Sequence, residues 1–361
     1  MRGTPPLDST AAPFDDATAA PVASAPAATA TRTQMGPAGL PGMAGVDWRT
    51  VLRRREAVVA IILVVGSLLF GLTHPAFLTF TNLSSILVNS AVVALVSVGM
   101  TMIIVTGGID VSVGSTLGMG MLVAVNLELG GQNLLLVLLA CVGVGLLVGL
   151  VNGSNVAFGG IHPIIVTLGM LNIVRALQIQ FLGPLYITAP PTTQGRALAL
   201  SAILGLPTPW WIAMVVGLIG SLFLLRRPLG RRIYALGGNP EAARLAGVNV
   251  RLVTIFVYAI TGLLVGLAAV IQLGLGGTVA ASAGSGLELQ VIAATVIGGT
   301  SVLGGRGTIL GSILGALLVE TVHNATIAIG TISLLDGLIV GVLIVLAVGL
   351  DVVQNRKATT V

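Results

Sequence analysis

Asp110 is one of the few ionisable side chains in the apolar part of this sequence, and it stands at a break between two apolar runs. The break reads Thr106-Gly-Gly-Ile-Asp-Val-Ser-Val-Gly-Ser115. Irregular backbone at membrane depth is tolerated where protein or a water-filled cavity surrounds it, and an ionisable group there is a candidate for function. We therefore predict that Gly107, Gly108, Asp110 and Ser112 lie along a path for a polar solute. The alternative is that Asp110 and Ser112 cap the helix that follows them, and both interpretations can hold at once.

A second polar group lies in the apolar run 162–182, where Asn172 and Arg175 are three residues apart and share one face of a helix. A guanidinium in an apolar span is costly, so Arg175 should face a cavity or a carboxylate. Amide and guanidinium groups also hydrogen-bond hydroxyls, and we therefore predict that both residues line the same path. The alternative is that they bond neighbouring helices to each other. Glu288 and Glu320 are single charges near the ends of other spans, where we expect contact with interfacial water.

The segment from Gly230 to Gly247 is predicted to hold a short, well-capped helix in a loop between two apolar runs. Asparagine is a good N-cap, proline suits the first helical position, and an acidic residue suits the positive end of the helix dipole. Gly247 is a natural residue to end the helix. A membrane protein has no folding need for such a helix, so we interpret it as a docking element for a cytoplasmic partner; the alternative is a loop that lies on the lipid headgroups. The residues predicted to make this contact are Asn239, Pro240, Glu241, Ala242, Ala243 and Arg244.

The residue counts exclude several kinds of chemistry. The only lysine is Lys357, so the chain holds no GxxxxGK[ST] phosphate loop and cannot hydrolyse ATP by that route. The single cysteine, Cys141, excludes an intramolecular disulfide and a multi-cysteine metal site. The three histidines show no metal-binding spacing. We therefore expect no catalytic residue, no metal and no cofactor in this chain, so that any ATP must be bound by a partner subunit.

The composition places the chain among polytopic membrane proteins. Charged residues make up 8% of the 361 residues and hydrophobic residues 55%, whereas soluble domains carry about 25% charged residues. An ordinary soluble enzyme is therefore excluded. The net charge of +5 does not indicate nucleic-acid binding, because the basic residues flank apolar spans, which is the topology signal of a membrane protein.

We predict an all-α fold with about ten transmembrane helices, since each crossing takes about 20 apolar residues. With both termini in the cytoplasm, 15 of the 17 basic residues lie on the inner side, including those of the cytoplasmic loop 226–251. Residues 1–47 are predicted to be a disordered cytoplasmic tail, 48–353 the transmembrane domain and 354–361 a cytoplasmic tail. Small residues four apart, as in Gly311 and Gly315, predict close helix packing. The predicted spans are 57–73, 84–105, 113–129, 134–151, 162–182, 210–225, 252–273, 287–303, 309–323 and 332–350.

Four segments, in the right order over about residues 50–353, together resemble the permease subunits of monosaccharide (ribose/xylose/galactoside-type) ATP-binding-cassette importers. They are Gly230–Gly247, Thr106–Ser115, His162-Pro-Ile-Ile-Val-Thr-Leu-Gly-Met170 and the run from Leu287 to Thr308. The resemblance implies a type II-like importer permease in the bacterial cytoplasmic (inner) membrane, where lipid surrounds it. It also implies three kinds of partner: a cassette ATPase that contacts the helix at 239–244, a second permease copy or homologue, and an extracytoplasmic sugar-binding protein. The outer loop from Tyr186 to Leu204 departs from the family pattern.

A secondary transporter of a small polar solute, driven by protons or sodium, is the alternative from a different class. Such a transporter needs a carboxylate near the membrane midplane with ligands for the coupling ion, and Asp110 is the candidate. That interpretation leaves the capped cytoplasmic helix without a role. A membrane scaffold that transports nothing would need neither Asp110 nor Arg175.

Overall fold

The computed structural model describes residues 55–183 and 185–330, and beyond them only positions 338, 341, 342, 345 and 349. The predicted tails, 1–47 and 354–361, lie outside the described residues. The tenth predicted span, 332–350, also lies outside them except for those five positions.

The described residues form twelve α-helices and four short strands, and every predicted span from the first to the ninth contains a helix. A 3-10 turn, Pro75–Leu78, precedes the second helix. The helices are α1 Arg55–Thr73, α2 Phe80–Val105, α3 Val113–Leu129, α4 Leu134–Gly159, α5 Pro163–Leu182, α6 Gln194–Leu200, α7 Thr208–Arg226, α8 Pro228–Gly238, α9 Pro240–Leu245, α10 Val250–Gly276, α11 Leu287–Ile297 and α12 Ile309–Ala328. The strands are β1 Tyr186–Thr188, β2 Ala202–Ile203, β3 Leu206–Pro207 and β4 Thr278–Ala280.

Seven of these helices are long and apolar enough to cross a membrane: α1, α2, α4, α5, α7, α10 and α12. The apolar helices α3 and α11 are shorter. Within the described residues, the structure therefore confirms a mostly helical, multi-pass membrane protein.

Two predicted spans have different bounds in the structure. The span predicted at 287–303 ends as a helix at Ile297, because Gly298 and Gly299 begin an irregular, glycine-rich stretch in which Gly299 has a φ of 97°. The helix α4 instead continues past residue 151 to Gly159, since Asn152 is buried within it and donates a hydrogen bond to Ser112 in the loop before α3. The prediction from apolar runs therefore missed a helix end at glycines and placed another helix end at a polar residue that the fold buries.

The strands, which the sequence did not predict, form two antiparallel pairs. β1 pairs with β4, with Ile187 opposite Val279, and β2 pairs with β3 in a two-residue hairpin. The turn residues Leu204 and Gly205 both have positive φ, 53° and 79°, as this hairpin type requires. These pairs give backbone groups of the connecting loops their hydrogen-bond partners.

The bundle has two ends that differ in their connections. We call the end that holds α8, α9 and the loop 304–308 the arginine end, because Arg226, Arg227, Arg231 and Arg232 lie there. Its parts are joined by hydrogen bonds from Gly305 N to Val105 O (2.8 Å) and from Thr308 Oγ1 to Glu56 Oε1 (2.8 Å). The opposite end, which holds β1, β4 and α6, is called the sheet end.

Glycines let the central helices touch through their backbones. A methyl group on Gly145 of α4 would overlap the carbonyl of Gly262 of α10, and a methyl on Gly262 would overlap the carbonyl of Gly145. Methyl groups on Gly311 and Gly315 of α12 would likewise overlap the carbonyls of Gly298 and Ala294. The predicted close packing at Gly311 and Gly315 is therefore confirmed.

The start of α3 meets the segment before α11 inside the bundle. Gly114 lies against the carbonyl of Gly284 and the carboxylate of Glu288, and any side chain on Gly114 would collide with both. Glu288 also accepts a hydrogen bond from Gly286 N at 3.1 Å. The contact brings residues 283–288 to the flank of α3, where they form one wall of a cavity.

Candidate functional site

A cavity of about 430 Å³ lies among α2, α3, α10, α11 and α12, in the half of the bundle nearer to the sheet end. Four of these helices each place a polar side chain on its wall: Asn89, Gln272, Gln290 and Glu320. His323, one turn after Glu320 on α12, also lines it. Exposed Ser282 and Ser285 belong to the same wall, so solvent reaches the cavity.

Apolar side chains also line the cavity, from Val92, Val93, Leu117, Met121 and Leu287. A cavity of a few hundred cubic ångströms in which several hydrogen-bonding groups converge beside apolar side chains has the size of a small-molecule site. Amide, hydroxyl and carboxylate groups can donate to and accept from hydroxyl groups, while an apolar wall can face C–H groups. The cavity is therefore suited to a small polyhydroxylated solute.

The predicted path residue Asp110 lies elsewhere, in a buried network near the arginine-end half of α4. Its Oδ1 accepts hydrogen bonds from the backbone N–H of Ser112 (2.8 Å) and from the Ser112 hydroxyl (2.7 Å). Asn152 of α4 donates to the Ser112 hydroxyl at 2.9 Å and lies 3.5 Å from Asp110 Oδ2. Bonds of this kind stabilise the turn that leads into α3, whose N-cap residue, Ser112, makes no side-chain hydrogen bond to the first turn of the helix.

The two glycines before Asp110 allow the chain to turn sharply after α2. Gly107 has a φ of 84°, and Gly108 lies against the hydroxyl of Tyr258. Tyr258 and Thr167 both donate to the carbonyl of Ile109, at 3.4 and 3.3 Å. Side chains from α5 and α10 thus fix this loop, and none of Gly107, Gly108, Asp110 and Ser112 lines the 430 Å³ cavity.

The structure separates Asn172 from Arg175. The amide of Asn172 is exposed and donates to Leu168 O within its own helix, at 2.9 Å. Arg175 donates to Gln178 Oε1 (3.0 Å) and to the carbonyls of Ala281 (3.2 Å) and Ala283 (2.6 Å). Arg175 therefore binds the segment between β4 and α11 to α5 and positions one wall of the cavity from behind.

Sequence reasoning missed most of the cavity. Asn89, Gln272 and Gln290 are single polar residues on separate helices, so no spacing along the chain connects them. Glu320 is a lone charge near the end of an apolar run, and the sequence predicts that it contacts interfacial water. In the structure it is 7% exposed and lines the cavity.

At the arginine end, α9 has the caps that the sequence predicts. The Asn239 side chain accepts a hydrogen bond from Ala242 N at 3.0 Å, and Pro240 occupies the first turn. Gly247 has a φ of 82° and follows the helix, while Val248 N donates back to Ala243 O at 3.0 Å. Helix α9 is thus a separate, closed unit of about two turns.

The exposed face of α9 carries both charge and apolar surface. Glu241 and Arg244 form an ion pair at 3.3 Å, and both side chains are largely exposed. Leu245 is 83% exposed, and it was not among the predicted contact residues. Ala243 is 5% exposed and packs inward, so it supports the helix from inside and does not form part of the outer face.

Helix α8 connects α9 to the centre of the bundle. Its Ile233 and Leu236 are buried, and Gly237 lies directly against Val105 O and Gly305 N. The hydroxyl of Tyr234 donates to Gly307 O at 2.8 Å, and burial raises the pKa of this phenol, which keeps the donor proton in place. Helix α8 therefore links α9 to the C-terminal end of α2 and to the loop before α12.

Comparison with known proteins gives one family match. The family model described as branched-chain amino acid transport system / permease component matches residues 82–348. This range includes the cavity, the loop with Asp110 and both α8 and α9. No solved structure matches the chain significantly.

Curated relatives match over most of their length. The ribose import permease protein RbsC of Escherichia coli (strain K12) is 36% identical over 314 residues, which are 85% of this chain and 95% of the relative. The D-allose transport system permease protein AlsC of the same strain is 34% identical, covering 81% of this chain and 89% of the relative. The autoinducer 2 import system permease protein LsrC of Salmonella typhi is 32% identical, covering 77% and 80%.

Proposed function

Because this chain belongs to the family of branched-chain amino acid transport system / permease components, we propose that it carries a monosaccharide across the cytoplasmic membrane as the permease of an ATP-driven importer. It is a multi-pass membrane permease of the type found in sugar ATP-binding-cassette importers. The relatives' names include ribose and allose, which are neutral sugars, and autoinducer 2. A pentose or hexose is therefore the expected solute.

The observation that carries the choice of solute is the polar cavity enclosed by apolar helices. Three amides, one carboxylate and several hydroxyls line about 430 Å³, which is enough for one monosaccharide with some water. Helix contacts alone do not require four polar side chains to meet at a water-filled space, and such groups inside a membrane protein usually mark a solute pathway.

The energy source is proposed to be a separate cassette ATPase, since this chain has no phosphate loop. Its docking element would be α9, with the Glu241–Arg244 pair and exposed Leu245 as contacts and Asn239 and Pro240 shaping the helix start. ATP-driven movement of α9 would then pass through α8 to Val105 and Gly305. A second permease copy or homologue would complete the pore, and a sugar-binding protein would deliver the solute at the sheet end.

The test starts from the tagged chain purified in mild detergent from its native membrane, with co-purifying proteins identified by mass spectrometry. The complex is then reconstituted into vesicles, and uptake of radiolabelled D-ribose and D-allose is measured with and without ATP. We expect a cassette ATPase in the preparation and uptake that requires ATP.

The contrary result is transport by the chain alone, without ATP and in response to a proton or sodium gradient. That result would replace the importer permease by an ion-coupled transporter. Uptake of neither sugar, with an ATPase present, would overturn the monosaccharide assignment and keep the permease assignment.

A further inference from the structure

We infer that an anionic phospholipid binds in a groove between α4 and α10 at the arginine end, with its phosphate on Arg251 and an acyl chain along the groove. The groove has a volume of about 580 Å³ and shares no lining residue with the 430 Å³ cavity. The inference therefore goes beyond the proposed function and depends neither on the solute nor on the source of energy.

The walls of the groove are apolar and face away from the bundle. Phe158 of α4 is 66% exposed and Leu252 of α10 is 53% exposed. Both helices are long and apolar enough to cross a membrane, so the medium against this face is lipid hydrocarbon. An acyl chain therefore fits this environment. The apolar lining residues are Leu150, Phe158, Leu252, Ile255, Phe256 and Ala259.

The groove runs along the axes of the two helices. Helices α4 and α10 are antiparallel, and Phe158 near the end of α4 lies beside Arg251 at the start of α10. Leu150 and Ala259 line the groove further along the same helices, and Ala259 is about 12 Å from Arg251 along the axis of α10. The hydrocarbon core of a bilayer is about 30 Å thick, so the groove extends through most of one leaflet.

The charged group of the groove is an arginine that is held in position. The guanidinium carbon of Arg251 lies 5.4 Å from the centroid of the Phe158 ring, which is a cation–π distance. A guanidinium held through its face keeps the N–H groups along its edges for other partners, and their planar arrangement matches two oxygens of a phosphate. Asn249 lies at the same end of the groove and caps α10 through its Oδ1, which leaves its NH2 group for a ligand oxygen.

The lining favours an anionic headgroup over a zwitterionic one. Among the described residues that line the groove, Arg251 is the only charged one. The ammonium group of a zwitterionic lipid would therefore lie next to a guanidinium, with no carboxylate from this lining to bind it. Basic pockets between transmembrane helices are places where anionic lipid headgroups bind.

The test uses the full chain, purified in detergent, stripped of lipid and analysed by native mass spectrometry. Phosphatidylglycerol and phosphatidylcholine with the same acyl chains are added at equal concentration. We expect phosphatidylglycerol to be bound about fivefold or more in preference, as one arginine near a membrane surface provides. Arg251→Gln should reduce its binding to the level of phosphatidylcholine. Arg226→Gln is the matched control and should keep the preference, since Arg226 is exposed at the same end and does not line the groove.

A second pair of variants tests the groove without any change of charge. Phe158→Leu removes the ring that holds Arg251, and Phe181→Leu removes a phenylalanine of similar exposure, 65%, from α5. We expect Phe158→Leu to lower the preference for phosphatidylglycerol and Phe181→Leu to leave it unchanged. This pair also decides the question if Arg251→Gln does not fold.

Three results would overturn the lipid site. An equal loss of preference in Arg251→Gln and Arg226→Gln would show a diffuse attraction to the arginine end. A dimer that binds no phosphatidylglycerol would indicate that a second copy of the chain covers the groove. Displacement of the lipid by excess inorganic phosphate would show that the acyl chain contributes nothing. Because neither ATPase nor sugar is present, these results leave the importer proposal standing, and failure of ATP-driven uptake would leave the measured lipid binding standing.

Discussion

At the scale of single residues, Asp110 shows how one carboxylate can satisfy a local need of the backbone. One oxygen, Oδ1, accepts from both the N–H and the hydroxyl of Ser112, two residues further along. Those two donors point into the protein interior, where an unpaired donor costs about 1–3 kcal/mol. Both donors of Ser112 need an acceptor oxygen at position 110, and a side-chain amide provides such an oxygen as well as a carboxylate does.

We therefore expect Asp110→Asn to keep its stability and most of its uptake, since asparagine retains the acceptor. Asp110→Ala should lower the free energy of unfolding by about 1–3 kcal/mol, because both donors of Ser112 lose their partner. Thermal unfolding in detergent and ATP-driven uptake in vesicles measure the two effects. Abolished uptake in a stable Asp110→Asn protein would show that the negative charge itself is needed, as an ion-coupled transporter requires.

Residues that act on their neighbours in the chain could be predicted from the sequence. The cap at Asn239 and the left-handed Gly247 follow from local preferences, and the structure has both. The cavity residues could not be predicted in this way, because Asn89, Gln272 and Glu320 lie on different helices. Only tertiary packing brings them together, and a lone polar residue in an apolar run gives no sign of which neighbour it will meet.

At the scale of elements, α9 presents the clearest surface for a partner. Its Leu245 is 83% exposed, and a leucine on a short helix next to an exposed ion pair offers an apolar anchor surrounded by polar groups. We expect Leu245→Asp to reduce the amount of cassette ATPase that co-purifies by about tenfold or more, as substitution of an interface anchor does.

The matched control is Leu204→Asp, because Leu204 is 89% exposed at the opposite end of the bundle. Both variants add one negative charge and remove one exposed leucine, so general effects on folding or insertion should be equal. A similar recovery of ATPase with both variants would show that Leu245 does not contact that partner.

The contact between α4 and α10 depends on glycine at Gly145, where a methyl group would overlap the carbonyl of Gly262. We expect Gly145→Ala to destabilise the bundle by about 1–3 kcal/mol, as overpacking does. Gly143 lies on the same helix and has nothing within 4 Å of an added methyl, so Gly143→Ala should leave stability unchanged or slightly raised. Unfolding of both variants under the same detergent conditions measures the difference in stability. Equal stability would mean that α4 and α10 can move apart to accommodate the methyl group with no loss of stability.

The elements themselves were largely predictable because apolar runs and charged flanks determine where a chain crosses a membrane. The end of α11 was not, since Gly298 and Gly299 belong to an apolar-looking run and yet stop the helix. The same limit applies to α4, which Asn152 does not interrupt because Ser112 gives its amide a partner. Hydropathy scores the free energy of burying each side chain by itself. It does not include the hydrogen-bond partner that offsets this cost in the folded protein.

At the scale of the whole molecule, the sheet end and the arginine end have different roles in the proposed function. The cavity lies nearer to the sheet end, whereas the loop with Asp110 and the contacts of Val105, Gly237 and Gly305 lie nearer to the arginine end. A solute entering from the sheet end would therefore meet hydrogen-bonding side chains first and a closely packed layer next. Opening that layer would require the loops beside α8 to move, and α8 is the element that carries α9.

The proposed docking of a cassette ATPase on α9 requires that the arginine end faces the cytoplasm, where ATP is available. Arginines are enriched on the inner side of membrane proteins, and Arg226, Arg227, Arg231 and Arg232 all lie in the segment around α8. In a Cys141→Ser background we expect Leu204→Cys to react with a membrane-impermeant maleimide added to spheroplasts. Leu245→Cys should react only after the membrane is disrupted. The reverse pattern would place α9 outside the cell, out of reach of any ATPase, and α9 would then need a partner of a different kind.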